Sequence, residues 1–238
     1  AQNPTNFTPA SFNDPTRLER IKNAIPVIER MYKAFSIANH VPGYAYGIVV
    51  DGQLLYKGAD GYANLEEKIP ATTSSMFRIA SMSKSFTSLA ILHLRDAGKL
   101  KLDDPVEMYI PELKGQGLTT DAPPITIRHL MSHSAGFPED NPWGDRQLAD
   151  SEKDLTDLIN GKLSFSNVAG IEYEYSNLGF AMLGYIIHKV SGQSYDVYIQ
   201  NNILNPLGMN NTTYEYTTIP NDKFAYGYRF INNKWRKE

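Results

Sequence analysis

Residues 77–100 read FRIASMSKSFTSLAILHLRDAGKL. Phe86, Leu89, Ala90, Leu92, His93, Leu94 and Ala97 sustain a helix, and Gly98 stops it, because glycine adopts the left-handed conformation that ends helices. Few positions after Ser88 are polar, so the helix is expected to be buried nearly all round. At its start stands Ser81-Met82-Ser83-Lys84, the only S-x-x-K in the chain. Residues i and i+3 share a helix face, so the lysine nitrogen can touch the serine hydroxyl. A serine hydroxyl is a poor nucleophile without a base beside it. A lysine buried against apolar neighbours can have its pKa lowered and act as that base. A helix N-terminus adds free N–H groups and positive dipole for a developing oxyanion. Taken alone, the four residues also fit an N-cap serine with a surface lysine one turn on.

Upstream, Ile21, Ala24, Ile25, Ile28 and Met31 recur at helical spacing between Leu18 and Ala38, interrupted by Pro26, which predicts one or two helices. Gly43–Val50 and Gln53–Gly58 are strand-like runs joined by Asp51-Gly52, a strong hairpin signal. Residues 62–69 read as loop. Downstream, Leu102-Asp103-Asp104-Pro105 is a turn, and Thr126 opens a short helix that Gly136 is expected to end. Further helices are expected over residues 148–158, 177–191 and 195–203, and residues 224–235 turn strand-like again. The order is strands, a helical middle, then strands. That predicts an α+β fold, an antiparallel sheet body with an inserted helical domain, not alternating βαβ units. The expected divisions are 1–80 for the first part of the body, 81–204 for the helical domain and 205–238 for the start of the return.

Two Y-x-N triplets occur. Tyr62-Ala63-Asn64 follows the hairpin and reads as structural. Tyr175-Ser176-Asn177 stands just before the helix NLGFAMLGYIIHKVSG. From a loop there, Tyr175 can relay a proton and the Asn177 amide can bind a substrate carbonyl. The plain alternative is Asn177 as N-cap and Tyr175 as packing.

Composition narrows the partners. The chain has 238 residues, 42% hydrophobic and 21% charged, with net charge -3, as in ordinary globular proteins. No basic patch favours nucleic acid. The absence of cysteine excludes disulfides, thiol catalysis and thiolate metal sites. The most apolar stretch, residues 180–190, is too short for a membrane span. His129 and His133 have metal-ligand spacing, but no third ligand pattern accompanies them, and they read as structural. No G-x-S-x-G elbow and no glycine-rich phosphate loop occurs.

Five blocks occur in a telling order: FRIASMSKSFTS, LDDPVEMYIPEL, ITIRHLMSHSAGF, YEYSNLGFAMLGYIIHKVSGQSY and ILNPLGMNNTTY. The chain resembles class C-type serine β-lactamases and the related penicillin-binding and esterase-like hydrolases over residues 40–230. The resemblance implies the three-layer α/β sandwich of the β-lactamase/transpeptidase type. It implies an acyl-serine mechanism with Ser81 as nucleophile, Lys84 as base and Tyr175 as proton relay, while Asn177 binds substrate. The Ser81 N–H would form half the oxyanion hole. No cofactor or metal is implied, and the partner is a small-molecule or peptide substrate. Exported relatives suggest a periplasmic or secreted protein, with the polar start AQNPTNFTPASFNDPTR as a mature terminus. Glu152 as hydrolytic base, by loose analogy with class A enzymes, is opposed by the missing S-D-N motif. The family's third motif, K-T-G and its variants, is absent. The expectation is that a longer chain, or a second chain, supplies it together with the remaining strands.

Overall fold

The computed structural model describes residues 13–140 and 151–238, so the expected lead-in before residue 13 and the start of the 148–158 helix lie outside the described residues. The chain divides into two compact units: residues 1–78 with 217–238, and residues 79–216.

The first unit opens with α1 (Arg17–Ala38), one helix that runs through Pro26. β1 (Gly43–Val50) pairs antiparallel with β2 (Gln53–Asn64), with a bulge between Ile48 and Val49. Asp51 and Gly52 have φ of 51° and 76°, the left-handed pair that a tight hairpin turn requires. β2 continues to Asn64 and pairs with β3 (Ile69–Pro70), so the segment expected as loop is instead the end of a long strand and a second turn. β4 (Tyr228–Ile231) and β5 (Lys234–Lys237) form a separate hairpin. Its turn is Asn232-Asn233, both left-handed, and asparagine is one of the few residues that enters this region easily. The chain returns beside the first sheet: Met76 N–H donates to Lys223 O at 2.7 Å and Tyr226 N–H to Ala63 O at 2.9 Å. The buried core here is small, Ala63, Ala71 and Ala225. α1 has no buried residue and exposes Met31, Phe35 and Ile37, although Tyr32 stacks on Tyr46 at 4.2 Å.

The second unit holds the larger core. α2 (Ser83–Asp96) and α5 (Asn177–Ser191) pack together, with α3 (Ile127–Met131), α4 (Glu152–Asn160) and α6 (Tyr195–Ile199) around them. Ile91, Leu94, Ile127, Leu130, Met182, Leu183, Ile186, Ile187 and Ile199 are fully buried. Each contributes roughly 1.5–3 kcal/mol of apolar burial. α2 corrects the expectation of all-round burial. Thr87, Ala90, Ile91 and Leu94 face the core at helical spacing, whereas Leu89 is 41% exposed. The serines at 85 and 88 share the outer side with Leu89 and Leu92, and a run of small and apolar residues hides that division.

α3 ends at Met131, earlier than Gly136 suggested. Gly136 instead serves a close backbone contact. Its φ is 86°, its carbonyl accepts the Ser166 N–H at 2.9 Å, and a Cβ there would stand 2.2 Å from the Asn167 oxygen. Gly136→Ala is expected to lower unfolding free energy by at least about 2 kcal/mol, from left-handed strain plus the backbone clash. A denaturation midpoint equal to wild type would mean this contact is not formed. No helix among the described residues is long and apolar enough to cross a membrane.

Candidate active site

Ser81 lies in a short 3-10 turn, Ala80–Met82, that leads directly into α2. Ala80 has φ 45°, a left-handed conformation uncommon for alanine. Met82 N–H closes the turn on Ile79 O at 3.1 Å. The turn leaves Ser81 exposed, while Lys84, three residues on, is half-buried. The second turn of α2 is braced from within: buried Thr87 shares a hydrogen bond with the Tyr195 hydroxyl at 2.7 Å, and Tyr195 shares another with Tyr214 at 2.9 Å. Burial pushes the Tyr195 hydroxyl well above its ordinary pKa, so the pair stays neutral.

All four predicted site residues meet. Ser81 Oγ is 2.6 Å from the Tyr175 hydroxyl and accepts from Lys84 Nζ at 3.2 Å. Lys84 Nζ also donates to Asn177 Oδ1 at 2.6 Å. Its Nζ lies 4.8 Å from the Tyr175 ring centroid and 5.6 Å from that of Phe180. The result is one connected chain: Tyr175 hydroxyl, Ser81 hydroxyl, Lys84 amine, Asn177 amide. Such a chain can move a proton off the serine in either direction. Asn177 Nδ2 is buried and has no hydrogen-bond partner.

The local reason for Asn177's orientation is that it is not the N-cap. Ser176 is, and its hydroxyl accepts the Gly179 N–H at 3.0 Å. Asn177 occupies the first helical position, which frees its side chain to face Lys84. The carboxylate of Asp140 completes this helix start. It accepts the Asn177 N–H at 2.6 Å, the Leu178 N–H at 2.8 Å and the Ser176 hydroxyl at 3.1 Å. A carboxylate on the first N–H groups of a helix satisfies donors the helix itself cannot.

Neither Asp140 nor His133 stands out in the sequence as a site residue. His133 stacks on the Tyr175 ring at 4.6 Å, and its Nδ1 accepts the Ser176 N–H at 3.0 Å. Burial holds its pKa below the ordinary 6.5, Lys84 pushes the same way, and Asp140 opposes. His129 works elsewhere, where its Nδ1 accepts the Thr126 N–H at 3.2 Å in a reciprocal cap of α3. Each histidine therefore spends Nδ1 on a backbone N–H. Glu152 pairs with His188 Nδ1 at 2.5 Å. In the first triplet, Asn64 ends β2 fully buried and accepts the Glu67 N–H at 3.1 Å.

The Beta-lactamase family matches residues 28–237. Penicillin-binding protein 4* of Bacillus subtilis (strain 168) is 38% identical over 185 residues, which cover 74% of this chain and 40% of the relative. Among solved structures, the octameric penicillin-binding protein homologue from Pyrococcus abyssi has a TM-score of 0.77 at 31% identity, covering 90% of this chain and 50% of that one. EstCE1, a hydrolase with promiscuous acyltransferase activity, has a TM-score of 0.74 at 26% identity, covering 86% of this chain and 56% of the other. The chain thus spans about two fifths of the length of the curated relatives it matches.

Proposed function

The chain belongs to the Beta-lactamase family, and on that premise we propose that Ser81 is the nucleophile of a hydrolase that cleaves amide or ester bonds through an acyl-serine. The observation that carries this reading is the exposed Ser81 hydroxyl held between the Lys84 nitrogen and the Tyr175 hydroxyl. In the first step the Ser81 proton passes to Lys84 Nζ as Oγ bonds to the substrate carbonyl carbon. The bond from that carbon to the leaving nitrogen or oxygen then breaks, and the leaving group takes a proton by way of Tyr175. In the second step water attacks the ester, with the same groups reversing their roles, and Ser81 is regenerated. Asn177 is assigned to bind a substrate carbonyl through its side-chain amide, as the family resemblance implies. The Ser81 N–H belongs to the first turn, where helix-type bonding leaves N–H groups unspent, and suits one half of an oxyanion hole.

The favoured substrates are β-lactams or D-amino-acid peptides, in keeping with the penicillin-binding relatives. A small ester is the second reading, favoured by the likeness to EstCE1. A third outcome is a penicillin-binding sensor that is acylated without turnover. The test is to expose the protein to a fluorescent penicillin, a D-alanyl-D-alanine peptide and a p-nitrophenyl ester, following intact mass and product release. One acyl group per chain, on the Ser81 peptide, is expected with at least one of them. Sustained lactam, peptide or ester release then names the activity, and a burst without steady state names the sensor. No adduct and no release with any of the three would remove the proposal.

A further inference from the structure

Tyr175 sits in an irregular segment, residues 172–176, outside any helix or strand. No backbone ladder of its own sets where its hydroxyl points. One residue touches three consecutive positions of this segment. The His133 carbonyl accepts the Glu174 N–H at 2.8 Å, its ring stacks on Tyr175 with planes 26° apart, and its Nδ1 accepts the Ser176 N–H. His133 itself has φ 54°. Left-handed backbone is uncommon outside glycine, and asparagine, aspartate and histidine are the residues that enter it most readily.

We propose that His133 is a positioning residue for acylation: its neutral imidazole, protonated on Nε2, fixes residues 174–176 so that the Tyr175 hydroxyl stays on Ser81. This rests on the reading of Ser81 as nucleophile. An Nδ1 that accepts an N–H must carry no proton. Imidazolium would set two N–H groups against each other at the Ser176 contact and break that bond. Among the described residues, the groups facing the ring are Lys84 of α2, Asp140 after α3, Tyr173 edge-on at 5.6 Å, Tyr175 stacked and Phe180 of α5 at 5.0 Å. Burial, the largest influence, favours the neutral form, and Asp140 opposes it. The clamp is therefore intact above the ordinary histidine pKa and is lost as pH falls through the lower value of the folded state.

Asparagine is the informative replacement. Its Oδ1 can stand where Nδ1 stands, it accepts an N–H at any pH, and it tolerates left-handed backbone. The experiment measures the rate of Ser81 labelling by a fluorophosphonate between pH 4.5 and 9. Wild type is expected to lose rate on the acid side. His133→Ala is expected to label about 10- to 100-fold more slowly throughout, since small misplacement of a catalytic group has effects of that size. His133→Asn should recover most of that loss at pH 8, and it should lack the part of the acid limb that His133 contributes, so that its limb differs from wild type in position or steepness. Wild-type labelling by His133→Ala, or an unchanged acid limb in His133→Asn, would overturn the proposal.

If wild type takes no label at any pH, the hydrolase reading has failed and the clamp is judged separately. The imidazole nitrogens of 15N-labelled wild-type protein are then titrated by NMR. Expected are a bare Nδ1 at neutral pH, and Ser176 amide and Tyr175 ring signals that move together with His133 as acid is added. A protonated Nδ1 at neutral pH, or Tyr175 and Ser176 signals indifferent to His133, would overturn the clamp.

Discussion

Ser81→Ala is expected to abolish covalent labelling by fluorescent penicillin and by fluorophosphonate, and to reduce any hydrolysis by a factor on the order of 100,000 or more. Among the described residues, no other hydroxyl is placed against both Lys84 and Tyr175 within hydrogen-bond distance, so no second nucleophile can inherit the activation. Neighbouring Ser83 and Ser85 lie in the same turn, but neither shares a hydrogen bond with that pair. The variant should fold. Ser81 is exposed, and deleting its hydroxyl removes two hydrogen bonds at a site already open to water, each with a net worth of about 1 kcal/mol. Unfolding midpoint and labelling are therefore expected to separate: the first near wild type, the second gone. Labelling of Ser81→Ala at a comparable rate would show that another side chain carries the chemistry.

The four residues that meet, Ser81, Lys84, Tyr175 and Asn177, are all legible in the chain, because each belongs to a short pattern at a helix start. A three-residue spacing brings Lys84 to Ser81, and the step from loop to helix at Asn177 frees the triplet to reach them. What escapes is the support. Asp140 acts 37 residues before the helix it caps, through backbone N–H groups that every sequence has. His133 acts by stacking and by one lone pair, and neither leaves a pattern of spacing. Its i,i+4 relation to His129 points toward metal, yet each ring uses Nδ1 on a different backbone N–H. The fold behaves similarly. Asp51-Gly52 announces its hairpin, whereas Asn232-Asn233 hides inside a run that reads as one strand. Tyr62-Ala63-Asn64 reads as loop because glycines at 58 and 61 look like breakers, while in fact they lie opposite Tyr46 and Gly43 in the ladder. The helix at 83–96 misleads in the other direction. Its apolar residues outnumber the places available in the core, and Leu89 is left outside.

Lys84→Ala is expected to slow acylation by about 100- to 10,000-fold while leaving Ser81 as the residue that is labelled, the usual span for loss of a positioned base. Two effects are mixed in that number. One is the lost proton acceptor. The other is structural, because Asn177 Oδ1 loses its 2.6 Å donor in a half-buried site, which costs about 1–3 kcal/mol if nothing replaces it. Lys84→Arg separates them. Arginine keeps the positive charge and can donate to Asn177, but it does not give up its proton in proteins. If Lys84 served only as a fixed charge that steadies the oxyanion or orients Asn177, Lys84→Arg would restore much of the rate. If Lys84 takes the Ser81 proton, arginine cannot, and Lys84→Arg should acylate as poorly as Lys84→Ala while recovering its thermal stability. Tyr175→Phe supplies the comparison, since it removes the hydroxyl at 2.6 Å from Ser81 and leaves the amine in place. With Lys84 as base, Tyr175→Phe should retain faster acylation than either lysine variant, its loss arising from the proton delivered to the leaving group. Acylation by Lys84→Ala at the wild-type rate, with Tyr175→Phe inert, would transfer the base to the tyrosine and leave the lysine as its electrostatic partner.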